Sequence, residues 1–195
     1  MDRDALRQLY PSEGDTRCIA LKLQEPRQLY SLLDPAPFHQ RELDAEAAQY
    51  LLEAARELAD ERKVKIVLYF PTIPDAPTQD DLARAIHHYF YYRALKLHQQ
   101  RRHLLRIGRR ALIVGLVFLV LCQTLALTVF NQPVLHHTLL NTGVMILGWV
   151  AMWRPVEIFL YEWWPLLQDQ KYCERLQSMP IDIRERQTNN PNPIP

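Results

Sequence analysis

The stretch ALIVGLVFLVLCQTLALTVF, residues 111–130, is followed after NQP by VLHHTLLNTGVMILGWVAMW, residues 134–153, and no Lys, Arg, Asp or Glu occurs from 111 to 153. At about 1.5 Å per residue, twenty apolar residues make a helix of roughly 30 Å, the thickness of a bilayer's hydrocarbon core. The pattern predicts a transmembrane hairpin. Its first helix covers 111–130, a short outer turn 131–138 carries Pro133 as the breaker, and the second helix covers 139–154.

Bulk composition conceals this, because 23% charged residues, a net charge of +1 and a negative mean hydropathy describe an ordinary water-soluble domain. Outside the hairpin remain about 110 residues before it and about 40 after it, enough for one small domain with its own core. Cys18, Cys122 and Cys173 are odd in number and widely spaced, so they read as unpaired thiols of a reducing compartment. Met1 to Tyr10 carries Asp2, Arg3, Asp4 and Arg7, which is no signal peptide, and insertion is expected to rest on the hairpin.

Basic residues set the orientation. Arg93, Lys96, Arg101, Arg102, Arg106, Arg109 and Arg110 precede the first span, and Arg154, Lys171 and Arg175 follow the second. Loops bearing Lys and Arg are retained in the cytoplasm, so both termini are expected there. Cations beside a membrane are each attracted to an anionic inner leaflet by about 1 kcal/mol, which makes lipid rather than nucleic acid their expected partner.

Residues 1–77 are expected to form a small cytoplasmic α/β domain. From Arg17 to Leu23, Ile19, Leu21 and Leu23 alternate with Cys18, Ala20 and Lys22, a strand pattern. Pro26 permits a short helix through Leu33, stopped by Asp34-Pro35-Ala36-Pro37. Asp44 is a suitable N-cap for a helix whose apolar stripe is Ala47, Tyr50, Leu51, Ala54 and Leu58. Lys63 to Phe70 reads as an inner strand. This strand, helix, strand order predicts a right-handed parallel crossover. A two-strand sheet is marginal, and within the returning segment 173–187 the run Pro180 to Glu185 can supply a further strand.

Thr78 with Asp81 signals a helix start, and no proline follows until Pro133. One long helix is therefore expected, with a stalk over 78–110 continuing into the first span and Gly108 as its weak point. The tail 188–195 is Asn- and Pro-rich and is expected to be disordered.

Candidate functional residues cluster after the second span. Trp149, Trp153, Tyr161, Trp163 and Trp164 surround Arg154, Glu157 and Glu162, and the pattern reads as an aromatic belt followed by an interfacial helix over 155–172. With Arg106, Arg109 and Arg110, these aromatic residues and Arg154 form the expected membrane interface. Gln123, Arg154, Glu157 and Glu162 are the polar groups placed to do more than anchor. Gln123, near mid-span, calls for a partner on the other span or on another protomer. Tyr89, Phe90, Tyr91 and Tyr92 are the candidate partner face. His87, His88, His98, His103, His136 and His137 lack metal-ligand spacing, and nucleophile-elbow, Walker and dinucleotide glycine patterns are absent, so no catalytic residue, metal or cofactor is expected.

The runs LQEPRQLY (23–30), LDPAPF (33–38), YFYYR (89–93), WRPVEI (153–158) and YEWWP (161–165) resemble those of uncharacterised bacterial two-span membrane proteins. The resemblance implies an inner-membrane location and a shared Trp-rich juxtamembrane segment, and brings no activity with it. The first functional expectation is a non-enzymatic membrane protein that anchors a small domain and mediates self-assembly or binds a membrane-protein partner. The alternatives are an oligomeric pore or transport subunit using Gln123, Arg154, Glu157 and Glu162, and an interfacial enzyme acting on lipid.

Overall fold

A computed structural model describes residues 10–31, 43–129 and 135–186, including their side chains except those of 126–129 and 135–141. The expectations for Met1 to residue 9, Asp34–Pro37, the turn at Pro133 and the tail fall outside these residues, and those for the His136 and His137 side chains fall outside the described side chains. The chain divides into two compact units, Met1–Leu95 with Gln170–Pro195, and Lys96–Asp169.

The first unit holds a mixed four-stranded sheet. The alternation around Ile19 forms β2 (Thr16–Lys22), and the inner-strand pattern forms β3 (Val64–Phe70). The two are parallel, with Ile19 opposite Ile66 and Leu21 opposite Leu68. The returning strand β4 (Ile181–Glu185) pairs in parallel with the other edge of β3, Ile66 opposite Ile181. Between β2 and β3 lies α1 (Ala45–Glu57), capped by Asp44, whose Oδ2 accepts the N–H groups of Glu46 at 3.0 Å and Ala47 at 3.3 Å.

Sequence patterning misses the first strand, β1 (Ser12–Glu13). It pairs antiparallel to β2 across a two-residue turn, and the order is β1-β2-β3-β4. Gly14 opens that turn at φ +61°, a backbone region in which glycine alone is unstrained.

The core is built on alternate residues of the strands. Ile19, Ile66, Leu68 and Phe70 are buried together with Leu51 of α1, Leu58 at its C-cap, and Leu82, Ile86 and Phe90 of the next helix. Each such side chain contributes about 1.5–3 kcal/mol on leaving water. The α1 stripe sits slightly round from its expected position. Ala48, Leu52 and Ala55 are buried, whereas Tyr50 is 41% exposed and donates from its hydroxyl to the Ala20 carbonyl at 3.2 Å. The helix expected after Pro26 is a single 3-10 turn, Pro26–Leu29, ended by Tyr30 in extended geometry.

The long helix α2 runs from Ala76 to Val129 without interruption. It begins earlier than expected, since Pro77 fits a first turn whose N–H groups have no helical acceptor. Asp75 precedes it, and Thr78, inside the helix, donates its hydroxyl to Asp75 Oδ1 at 2.6 Å. After it come α3 (Leu135–Glu157), a π turn (Ile158–Glu162) and α4 (Trp163–Leu176). The interfacial helix expected to start at Pro155 has no boundary there, because Pro155 lies inside α3. Two contacts tie the end of α4 into the first unit. Arg175 donates to the carbonyls of Leu58 at 2.8 Å, Ala59 at 3.2 Å and Glu61, in the turn that follows α1. His87 Nε2 donates to the Met179 carbonyl at 2.9 Å, just ahead of β4.

A charged cluster joins three strands. Lys65 on β3 contacts Glu13 on β1 at 2.8 Å and Asp182 on β4 at 2.7 Å, and Arg184 on β4 binds the same two carboxylates. Hydrogen bonds from Arg184 and then Lys65 bring the Glu13 carboxyl down to about 2, and that from Lys65 lowers Asp182. Burial pushes the neighbouring Cys18 thiol up, keeping it protonated and unreactive. Because both carboxyl pKa values are depressed in the folded state, their stabilisation is complete above the unfolded carboxylate range. It is lost as the pH falls from about 5 towards 2. Urea midpoints of the full chain in detergent should drop across that window, and the drop should be smaller in the Glu13→Gln, Asp182→Asn double variant.

Candidate functional site

In the second unit, α2 and α3 approach each other where their sequences provide glycine. A Cβ at Gly108 would lie 2.8 Å from Ile158 Cγ2, and one at Gly148 would lie 3.0 Å from Leu119 and 3.3 Å from Cys122. Gly115 meets Met152 and the Ala151 carbonyl in the same way, at 3.0 and 3.1 Å. Gly108 with Ile158, Gly115 with Ala151 and Leu119 with Gly148 form an antiparallel series. Gly108, expected as the weak point of the helix, is instead a packing position and is buried.

The Ala151 carbonyl is the one that Pro155, lacking an N–H, leaves without its helical donor. At Gly115 the second Hα takes the place of a Cβ and faces this oxygen, a weak Cα–H donor where a side chain would only obstruct. Below it the helix widens into the π turn, and the indole N–H of Trp163 donates to the Phe159 carbonyl at 2.7 Å. In an α-helix, positions eight apart differ by roughly 80° in direction. The wider π turn reduces that angle and aligns Glu162 with Arg154.

Arg154 therefore meets both carboxylates expected near it. Its Nη1 donates to Glu157 Oε2 at 3.0 Å and to Glu162 Oε1. Arg154, Glu157 and Glu162 form one triad, in which a single guanidinium faces two carboxylates. Beside the triad, Ile146, Trp149, Val150 and Trp153 line an apolar groove. Trp149, Trp153 and Tyr161 are each at least 70% exposed and Trp164 is 53% exposed, whereas Trp163 is half-buried with its N–H used within the chain.

The outward surface is apolar. Ile113, Val114, Val117, Val120 and Leu121 of α2 and Ile146, Leu147 and Val150 of α3 are exposed. Among the described residues, one helical stretch, Thr142–Leu176, is long and apolar enough to cross a membrane, with 17% of its apolar window buried. Residues 111–129 form the C-terminal part of α2.

Gln123 joins neither the triad nor α3. Its neighbour Cys122 faces Gly148, while Gln123 is exposed and makes no hydrogen bond to any described residue. Arg106, Arg109 and Arg110 are exposed and have no carboxylate within 4.0 Å among the described residues. The candidate partner face is smaller than expected. Phe90 is fully buried in the core of the first unit, with the Tyr89 ring edge-on to it at 5.2 Å, leaving Tyr91 and Tyr92 exposed. Periodicity held the signal for this, since Phe90 lies four residues from Ile86 and eight from Leu82 on one helical stripe. No family model, no curated protein and no solved structure matches the chain.

Close packing at the glycines gives a direct test. Gly108→Val should destabilise the second unit by about 1–3 kcal/mol, because the Ile158 methyl group already fills that space. Gly143, with no atom within 4 Å of its Cβ position, should accept alanine without loss. Thermal unfolding of the full chain in detergent, followed by far-UV circular dichroism, distinguishes the two.

Proposed function

We propose that this protein is a non-enzymatic integral membrane protein that crosses a bacterial inner membrane twice, through residues 111–130 and 139–154. It holds a small α/β domain at the cytoplasmic face and assembles with further copies of itself through the first span. The exposed apolar side chains on both helices support two crossings, since a water-soluble protein would bury them and lipid has no such demand. The exposed aromatic residues Trp149, Trp153 and Tyr161 fit a headgroup belt. Glu157 and Glu162 both contact Arg154, which favours an anchor over a conduction path, because each carboxylate is already engaged by the chain's own cation.

The observation that carries self-assembly is Gln123. An amide directed away from the chain's own helices and into hydrocarbon leaves its donors and acceptor unsatisfied, and the same amide on a second copy satisfies them. Such hydrogen bonds between helices contribute about 0.6–2 kcal/mol, a three- to thirtyfold effect on association. In detergent micelles at fixed protein-to-detergent ratio, native mass spectrometry should show an oligomer. Gln123→Leu should shift it towards monomer by about that factor, and Gln123→Asn should retain part of it. A wild-type monomer, or an oligomer indifferent to Gln123→Leu, would contradict self-assembly through this face.

A further inference from the structure

No Asp or Glu occurs between Asp81 and Glu157, so the cations of α2 in the second unit have no acidic neighbour on their own helix. The contrast with Arg154, held by two carboxylates, is sharp. Arg102 and Arg106 are exposed, are paired with no carboxylate among the described residues, and lie four residues apart on one helical face. With His103 and Gln99 they line an open groove of about 780 Å³, to which α4 contributes Leu166. Arg106 Nε also donates to the Arg102 carbonyl at 3.4 Å, which directs its guanidinium back along the helix towards Arg102.

We propose that this groove is a binding site for the phosphodiester headgroup of an anionic glycerophospholipid, an inference that rests on the membrane reading above. Guanidinium groups bind phosphate oxygens bidentately, and two of them one turn apart can share one phosphate or take two adjacent ones. Gln99 and His103 add hydrogen-bond donors, and Leu104 and Leu166 give the glycerol and first acyl carbons an apolar wall. The groove also lies at the right level on the helices. The Gly108–Ile158 contact is a short distance along, Trp163 and Trp164 follow it on the opposing segment, and the exposed apolar run of α2 begins at Ile113. A single-stranded nucleic acid would find the same charge but no Phe, Tyr or Trp ring among the lining residues to act as a stacking platform for successive bases.

The test uses the full chain reconstituted with phosphatidylcholine vesicles for flotation, and in detergent for native mass spectrometry with added phosphatidylglycerol or phosphatidylcholine. Wild-type protein should float with the vesicles and retain phosphatidylglycerol in preference to phosphatidylcholine. The Arg102→Gln, Arg106→Gln double variant should lose that preference by about tenfold or more, as removal of two lipid-facing cations implies. The Arg109→Gln, Arg110→Gln variant, with the same change in net charge, should keep most of it. Failure of the wild type to float would overturn the membrane reading and this site with it. Flotation without lipid preference, or equal losses from the two double variants, would overturn the site alone. Displacement of the lipid by millimolar inorganic phosphate, or tighter binding of a single-stranded RNA at the same arginines, would overturn the lipid assignment.

Discussion

The close approach of two apolar helices at Gly108, Gly115 and Gly148 is the interaction on which the second unit depends. In the bilayer setting proposed for these helices, the hydrophobic effect gives no reason for one apolar helix to prefer another over lipid, so association there rests on dispersion at short range and on weak polar contacts. Glycine permits both. At Gly115 it faces the carbonyl that Pro155 leaves unpaired, so a helix-breaking residue on one segment is matched by the smallest residue on the other. The π turn then redirects Glu162 to Arg154, and the triad is neutralised apart from one excess negative charge.

The first unit is held together by different forces. Its sheet buries Ile19, Ile66, Leu68 and Phe70 under α1 and the start of α2, so the hydrophobic effect supplies most of its stability. Its opposite face carries the Glu13, Lys65, Asp182 and Arg184 cluster, which cross-links β1, β3 and β4. Because β4 follows the apolar helices in sequence, the sheet cannot be completed until the chain beyond them has been made. That order couples the domain's final strand to the helices that precede it.

Much of this was legible in the residues. Alternation marked β2 and β3, Asp44 marked the start of α1, and Ile181 and Ile183 marked β4, because each of these signals is local and strong. The parallel crossover followed from element order. What escaped reading had its cause elsewhere in the chain. β1 has two residues, too few for alternation, and is held by ion pairs to residues more than fifty positions away. Pro155 looked like a helix start because the Gly115 surface that tolerates it is distant in sequence. Tyr89 to Tyr92 read as a continuous aromatic face, yet a helix turns by about 100° per residue, and burial of Phe90 leaves Tyr91 and Tyr92 outside. Arg154 and Glu157 lie one helical turn apart in the sequence, whereas Glu162 joins them through a π turn that no simple pattern announces.

If residues 111–130 and 139–154 each cross the bilayer, as proposed, the chain ends share one side and the segment between the spans lies on the other. Single cysteines placed at Gln132 and at Pro195 of a chain whose three native cysteines are replaced by serine or alanine, labelled in intact cells with a membrane-impermeant maleimide, read this out directly. Two crossings predict rapid labelling at position 132 and none at 195 until the cells are lysed. Labelling at both positions, or at 195 alone, would contradict it.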